Sequence, residues 1–261
     1  AKCYGHSFEI GRIYSHLIIT EFQLDGFADL IEPRLKELRE LGHPLALGFP
    51  LTFFGSYLVH HNRLEEGEKL LLESLELLQK LQDKSFIAFT LNDLAKLAYK
   101  RGDFETAETL AKEVCERTSK LTMKYLNFPA LAFRGRVKLA QGRLKEARQF
   151  MLESLNMAWA WSAEPFSAVT YSLFCLAEFS LAIGQVKQAV TWLTFLYHYP
   201  AMEQRDEALQ LLEKAKVQLS ARAFTQAQKE SKSLTLEQIV TEILEGDSSH
   251  TLLESFLTQC N

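Results

Sequence analysis

The chain has 261 residues, a net charge of −4 and a pI near 6.0, with 47% hydrophobic and 24% charged residues. That is ordinary globular composition, and the charge and pI argue against a dedicated nucleic-acid surface, which is driven by clustered Lys and Arg neutralising phosphates. Only 12 Gly and 6 Pro occur, while Leu, Ala, Glu, Lys and Gln, which lose little rotamer freedom in a helix, are frequent.

Residues 7–21 read as a helix, broken at Asp25-Gly26, and residues 27–41 as a second, with Leu30, Ile31, Leu35, Leu38 and Leu41 at helical spacing. Pro33 marks either the first turn of that helix or a kink. Helix pairs then follow at about 45–60 and 63–81, 84–100 and 103–119, 124–140 and 143–160, and 165–182 and 185–198. After Pro200 the pattern fades into an amphipathic helix at 202–219, a shorter one at 221–230, and one at 236–244. Thr235 and Gln238 frame that third helix as a capping box. Residues 245–249 read as a linker and 251–259 as a small terminal helix.

The four pairs share a pattern. Ala95 and Ala107 lie twelve residues apart with Gly102 between them, and the set returns as Gly55, Asn62 and Gly67, as Gly135, Gly142 and Ala147, and as Ala177, Gly184 and Ala189. The period is 40 residues, then 42. Two helices joined by a short turn cross at close range, so the crossing tolerates little more than a methyl group. The glycine or asparagine between them supplies the left-handed residue that ends one helix and begins the next. The expected architecture is all-α: a right-handed α-solenoid of antiparallel helix pairs forming one domain over 1–261. It comprises a divergent N-terminal pair (1–43), four repeats (44–199) and capping helices (200–261).

This arrangement resembles tetratricopeptide repeats, with a period longer than the usual thirty-four and without the proline that often closes the second helix. Longer repeats of this sort look like the superhelical sensor domains of bacterial STAND-class signal-transduction ATPases, including LuxR-type relatives of the maltose-regulon activator. Residues 223–240, with Ala223-Phe224, Ala227 and Leu234-Thr235-Leu236-Glu237-Gln238, are similar to the ending many of those proteins share. Ser231 and Ile239 depart from its usual glycine and alanine. The resemblance implies a sensor or interaction module regulating an attached or upstream ATPase domain. No G-x-x-x-x-G-K-[ST] occurs in the chain itself.

In such a stack the first helix of each pair lines a concave groove. The register places Phe49, Thr52, Ser56 and His60, then Phe89, Asn92, Lys96 and Tyr99, then Arg136 and Leu139, and then Tyr171, Phe174 and Glu178 along it. Rings beside an amide and cations suit an extended peptide or a small effector; alternatively the aromatics are core and the groove fills itself. Arg134 stands in a column occupied elsewhere by Leu94 and Leu176, so a structural partner is expected for it ahead of a ligand anion.

No catalytic constellation is evident, so no enzyme activity is expected, and no cofactor. The adjacent His60 and His61 point different ways, and Cys3-x-x-His6 lacks a second ligand pair, so no metal site is expected either. Cys3, Cys115, Cys175 and Cys260 form no CxxC pair and read as free thiols in a reducing, cytoplasmic setting. The apolar stretches 49–59 and 171–183 are too short, or carry Glu178, to span a membrane, and no secretory leader is read at the start. The expected partner is therefore a protein, a peptide or a small effector. The competing reading is a constitutive scaffold or homo-oligomerisation domain without a ligand.

Overall fold

A computed structural model describes residues 27–40, 44–119, 127–161, 166–200 and 204–247. The expected helices at 7–21 and 251–259, together with Cys3, His6 and Cys260, lie outside the described residues. Every element among the described residues is an α-helix. Residues 1–123 and 124–261 form two compact units.

The described part of unit one holds α1 (Phe27–Glu40), α2 (Pro44–His60), α3 (Leu64–Leu81), α4 (Lys84–Lys100) and α5 (Phe104–Thr118). Pro33 sits inside α1. α2 packs on α3, α4 on α5, α3 on α4, and the two first helices α2 and α4 on each other. Leu35, Leu38, Leu51, Phe54 and Leu71 are fully enclosed in this unit.

Unit two holds α6 (Asn127–Ala140), α7 (Leu144–Ala160), α8 (Phe166–Ala182), α9 (Val186–His198), α10 (Arg205–Lys216), α11 (Ala221–Ser231) and α12 (Leu236–Asp247). The same pairing recurs in α6–α7 and α8–α9. α10 and α11 then both pack on α9, and α12 packs on α7. The alternation of paired helices therefore stops after Pro200. The capping box forms as expected: Thr235 donates its N–H to Gln238 Oε1 (2.9 Å), and Gln238 returns its N–H to Thr235 Oγ1 (3.2 Å).

The turns carry the expected left-handed residues: φ is +64° at Asn62, +79° at Gly102, +73° at Gly142 and +80° at Gly184. Gln82, at +55°, is an addition to that set; it closes α3 with backbone bonds to the Gln79 and Leu78 carbonyls. At the crossings Ala95, Ala107, Ala147, Ala177 and Ala189 have no exposed surface. A Cβ built on Gly135 would stand 2.6 Å from Met151 Cγ and 2.9 Å from the Ala147 carbonyl oxygen. On Gly55 it would stand 2.7 Å from Leu71 Cγ and 3.1 Å from the Gly67 oxygen. The first helices of the first and third pairs thus cross at glycine, those of the second and fourth at alanine.

That alternation marks a longer, two-pair module. In unit one Ser74 donates to the Gly48 carbonyl (2.7 Å) and lies 2.7 Å from Thr52, which lies 2.9 Å from Thr90. In unit two Ser154 donates to the Phe128 carbonyl (2.6 Å) and lies 2.7 Å from Ser172. Both bridges tie a second helix to the next first helix through buried hydroxyls, each of which finds a partner. Arg63 forks onto Glu66 at one module's turn, and Arg143 pairs with Glu146 at the other's.

Asp103 instead caps α5 by accepting the Thr106 N–H at 3.1 Å. Bonds from Thr106 hold its carboxyl below the ordinary carboxylate range. A depressed folded-state value means the cap stabilises the fold above the ordinary carboxylate range and is lost as pH falls through the lowered one. Asp103→Asn is expected to keep the cap but remove its titration. The melting temperature of the variant should then fall less between neutral and acid pH than that of the parent, and parallel curves would reject this role.

Candidate functional site

The stripe expected to face a ligand divides into open and closed parts. On α2, Phe49 and Thr52 are buried: Phe49 packs against Phe86 with ring centroids 4.0 Å apart, and Thr52 belongs to the hydroxyl bridge. The close α2–α4 contact encloses their side of the helix. Ser56 is half-buried and His60 exposed. Lys100 donates to the Val59 and His60 carbonyls at 2.9 Å each, closing the end of α2.

On α4 the expected stripe stays accessible. Phe89 is 40% exposed at the edge of a ring cluster with Phe86 and Phe53. Asn92, Lys96 and Tyr99 are half-buried. Lys96 is paired with Asp93 at 3.0 Å, and the Tyr99 ring leans on Phe104 at 5.5 Å. Apolar surface alternating with polar ends along this stripe can take both the side chains and the backbone of an extended segment.

In unit two the corresponding positions are closed. Phe174 is fully enclosed and Tyr171 nearly so, which corrects their expected place on an open groove. Arg136 forks onto Glu178 (2.6 Å and 3.3 Å) and reaches Glu207 on α10 (2.9 Å), with its guanidinium 5.2 Å from the Phe174 ring. Burial opposes the Arg136 charge, and the nearby Glu178 and Glu207 carboxylates more than offset it, so its pKa rises. Burial pushes the Tyr171 phenol and the Cys175 thiol up, which keeps both protonated and makes Cys175 a poor nucleophile.

The register puts Arg136 and Glu178 on one face, but it gives neither their ion pair nor its third member. Glu207 follows the break at Pro200, where the repeat register no longer predicts position. Leu139 is half-buried. Arg134 finds a structural partner in the Phe150 ring, 4.2 Å from the guanidinium carbon. His61 stacks on Tyr57 (3.9 Å) with Nδ1 2.9 Å from the Tyr57 carbonyl oxygen, its ring steeply inclined to that of His60. Among the described residues no group of three or more His, Cys, Asp or Glu is placed to hold a metal, and no helix is long and apolar enough to cross a membrane.

Two segments, residues 90–121 and 129–153, match tetratricopeptide-repeat models. Among solved structures the chain is similar to the nearly identical TPR-like repeats of a Podosopora anserina putative kinesin light chain. A single-substitution form of those repeats shares 18% identity over 85% of this chain and 98% of that one, with a TM-score of 0.52. A second structure of them shares 17% identity over 82% and 93%, with a TM-score of 0.47. A comparison with curated proteins gives no match. At such identity the structural likeness concerns the fold. The chain contains a tetratricopeptide-like helical repeat domain of α-solenoid type, and repeats of this kind serve as protein–protein interaction modules, in general non-catalytic ones.

Proposed function

We propose that the α4 face of unit one, formed by Phe89, Asn92, Lys96 and Tyr99 with Ser56 and His60 beside it, binds an extended segment of a partner protein. The observation that supports this reading most is the contrast between matched positions: Phe89 is 40% exposed, whereas Tyr171 is 8% exposed and Phe174 and Glu178 are tied to Arg136. A large ring left accessible beside an amide and a phenol is the arrangement that anchors peptides. Binding there regulates an attached or upstream signalling ATPase domain by favouring one of its states, a role supported by the family-like stretch at 223–240. The setting in which it acts is the cytoplasm.

The test is selection of peptides from a random display library on the full chain, followed by affinity measurement. Asn92→Ala and Tyr99→Ala are each expected to weaken the selected peptides by about tenfold, a loss of about 1.4 kcal/mol. Leu72→Ala, an exposed position on α3, is expected to leave them unchanged. Peptides indifferent to both Asn92 and Tyr99 would remove this surface from the account, and failure to select any peptide would favour a constitutive scaffold.

A further inference from the structure

A cavity in unit two lies away from the first-helix stripe. It has a volume of about 760 Å³ and opens between the start of α9, the end of α11 and α12. Val186, Trp192, Leu219 and Leu234 supply its apolar wall, and Glu230 and Glu242 its carboxylates. Trp192 and Val186 are almost fully buried, so this wall is fixed by the packing of α9 rather than formed by loose surface side chains.

The charges of the cavity are unequal. Among the described residues that line it, Lys187 is the one cation, and it is already committed to Glu230 at 2.8 Å. The bonds from Lys187 and Gln226 hold the Glu230 carboxyl below the ordinary range, so it is ionised at neutral pH. Glu242 on α12 forms no ion pair among the described residues. One uncompensated negative charge thus stands at the edge of an apolar wall. The first turn of α9 lines the same cavity and carries no side-chain cap, which leaves backbone N–H donors for the carbonyls of an incoming chain.

We infer that this cavity binds an arginine or lysine side chain flanked by apolar residues, presented by an extended segment of a partner protein. A basic side chain has a hydrocarbon stem and a charged head, and it lies naturally along an apolar surface with its head against carboxylates. Here the stem meets Trp192, Leu219 and Leu234, and the head meets Glu242 and the outer side of Glu230. The volume is in the range of sites that enclose a small ligand, and it leaves room for the neighbours of the basic residue. Residues 248–261 of this chain contain neither Lys nor Arg, so they do not supply such a side chain.

Tryptophan resonances provide the readout, because Trp192 lines the cavity and the other two, Trp159 and Trp161, do not. The full chain, labelled on tryptophan and assigned with Trp159→Phe and Trp161→Phe, is titrated with N-acetyl-Leu-Arg-Leu-amide and with the same peptide carrying uncharged citrulline. The arginine peptide is expected to move the Trp192 indole signal and to saturate. The citrulline peptide and the Glu242→Gln variant should each weaken that response by about two- to fivefold, the scale of an exposed ion pair. Glu242 is exposed, so its substitution leaves the fold intact, and Glu230→Gln gives an independent arm. The proposal is overturned if Trp192 does not respond, if the two peptides bind alike, or if neither carboxylate variant alters affinity. Because the selection of library peptides reads Asn92 and Tyr99 on the other unit, either result can stand without the other.

Discussion

Glu178→Leu is expected to destabilise unit two by about 3 kcal/mol, the scale of removing one partner from a buried ion pair. The cause is the charge left behind. Arg136 has only 11% of its side chain exposed, and Glu178 17%. Once Glu178 is gone, the carboxylate left beside Arg136 is Glu207 at 2.9 Å, which is one-third exposed and therefore screened. The paired change Arg136→Met with Glu178→Leu removes the charge together with its partner, and it should recover most of the loss. All three tryptophans fall within 124–261, so their fluorescence during urea unfolding follows this unit. A single variant with the parent's midpoint, or a double variant worse than the single one, would reject the pair as a structural tie.

In unit one the largest expected effect comes from Ala107→Leu, at about 1–3 kcal/mol of overpacking. Ala107 has no exposed surface, and neither has Ala95 at the same crossing. At the matching glycine crossings a single added carbon would already lie 2.6–2.8 Å from a neighbour, so a leucine must push two backbones apart. Glu105→Leu, on the exposed side of the same turn, is expected to stay within about 0.5 kcal/mol of the parent. Thermal unfolding followed by helical circular dichroism measures both, and equal effects would mean that the register is wrong.

The helices are legible in the sequence because the signals that specify them are local. Apolar spacing marks the helices, the twelve-residue separation of small residues marks the crossings, and Gly102, Gly142, Gly184 and Asn62 mark the turns. Gln82 escapes because a glutamine carries no intrinsic preference for positive φ; its conformation follows from how α3 has to end. The stripe of first helices is legible too, but its exposure is not. Whether Phe49 faces solvent depends on how closely α4 approaches α2, which is a tertiary property. Phe174 is enclosed beside Arg136, and Glu207 is missed because the repeat that would fix its position ends at Pro200. The two-pair module is visible at a shift of 80 residues in Gly55 and Gly135 and in Ser74 and Ser154, yet the 40-residue period masks it. The cavity beside Trp192 has no sequence signature at all, since its walls come from helices that meet only in the folded unit.

The central claim is that protein recognition uses the α4 face of unit one. Amide hydrogen exchange of the full chain, with and without a peptide selected on it, measures this most directly. Added protection on α4, across Phe89 to Tyr99, with α3 and α5 unchanged, is the predicted result. Protection confined to α3 and α5, with α4 exchanging as before, would contradict it.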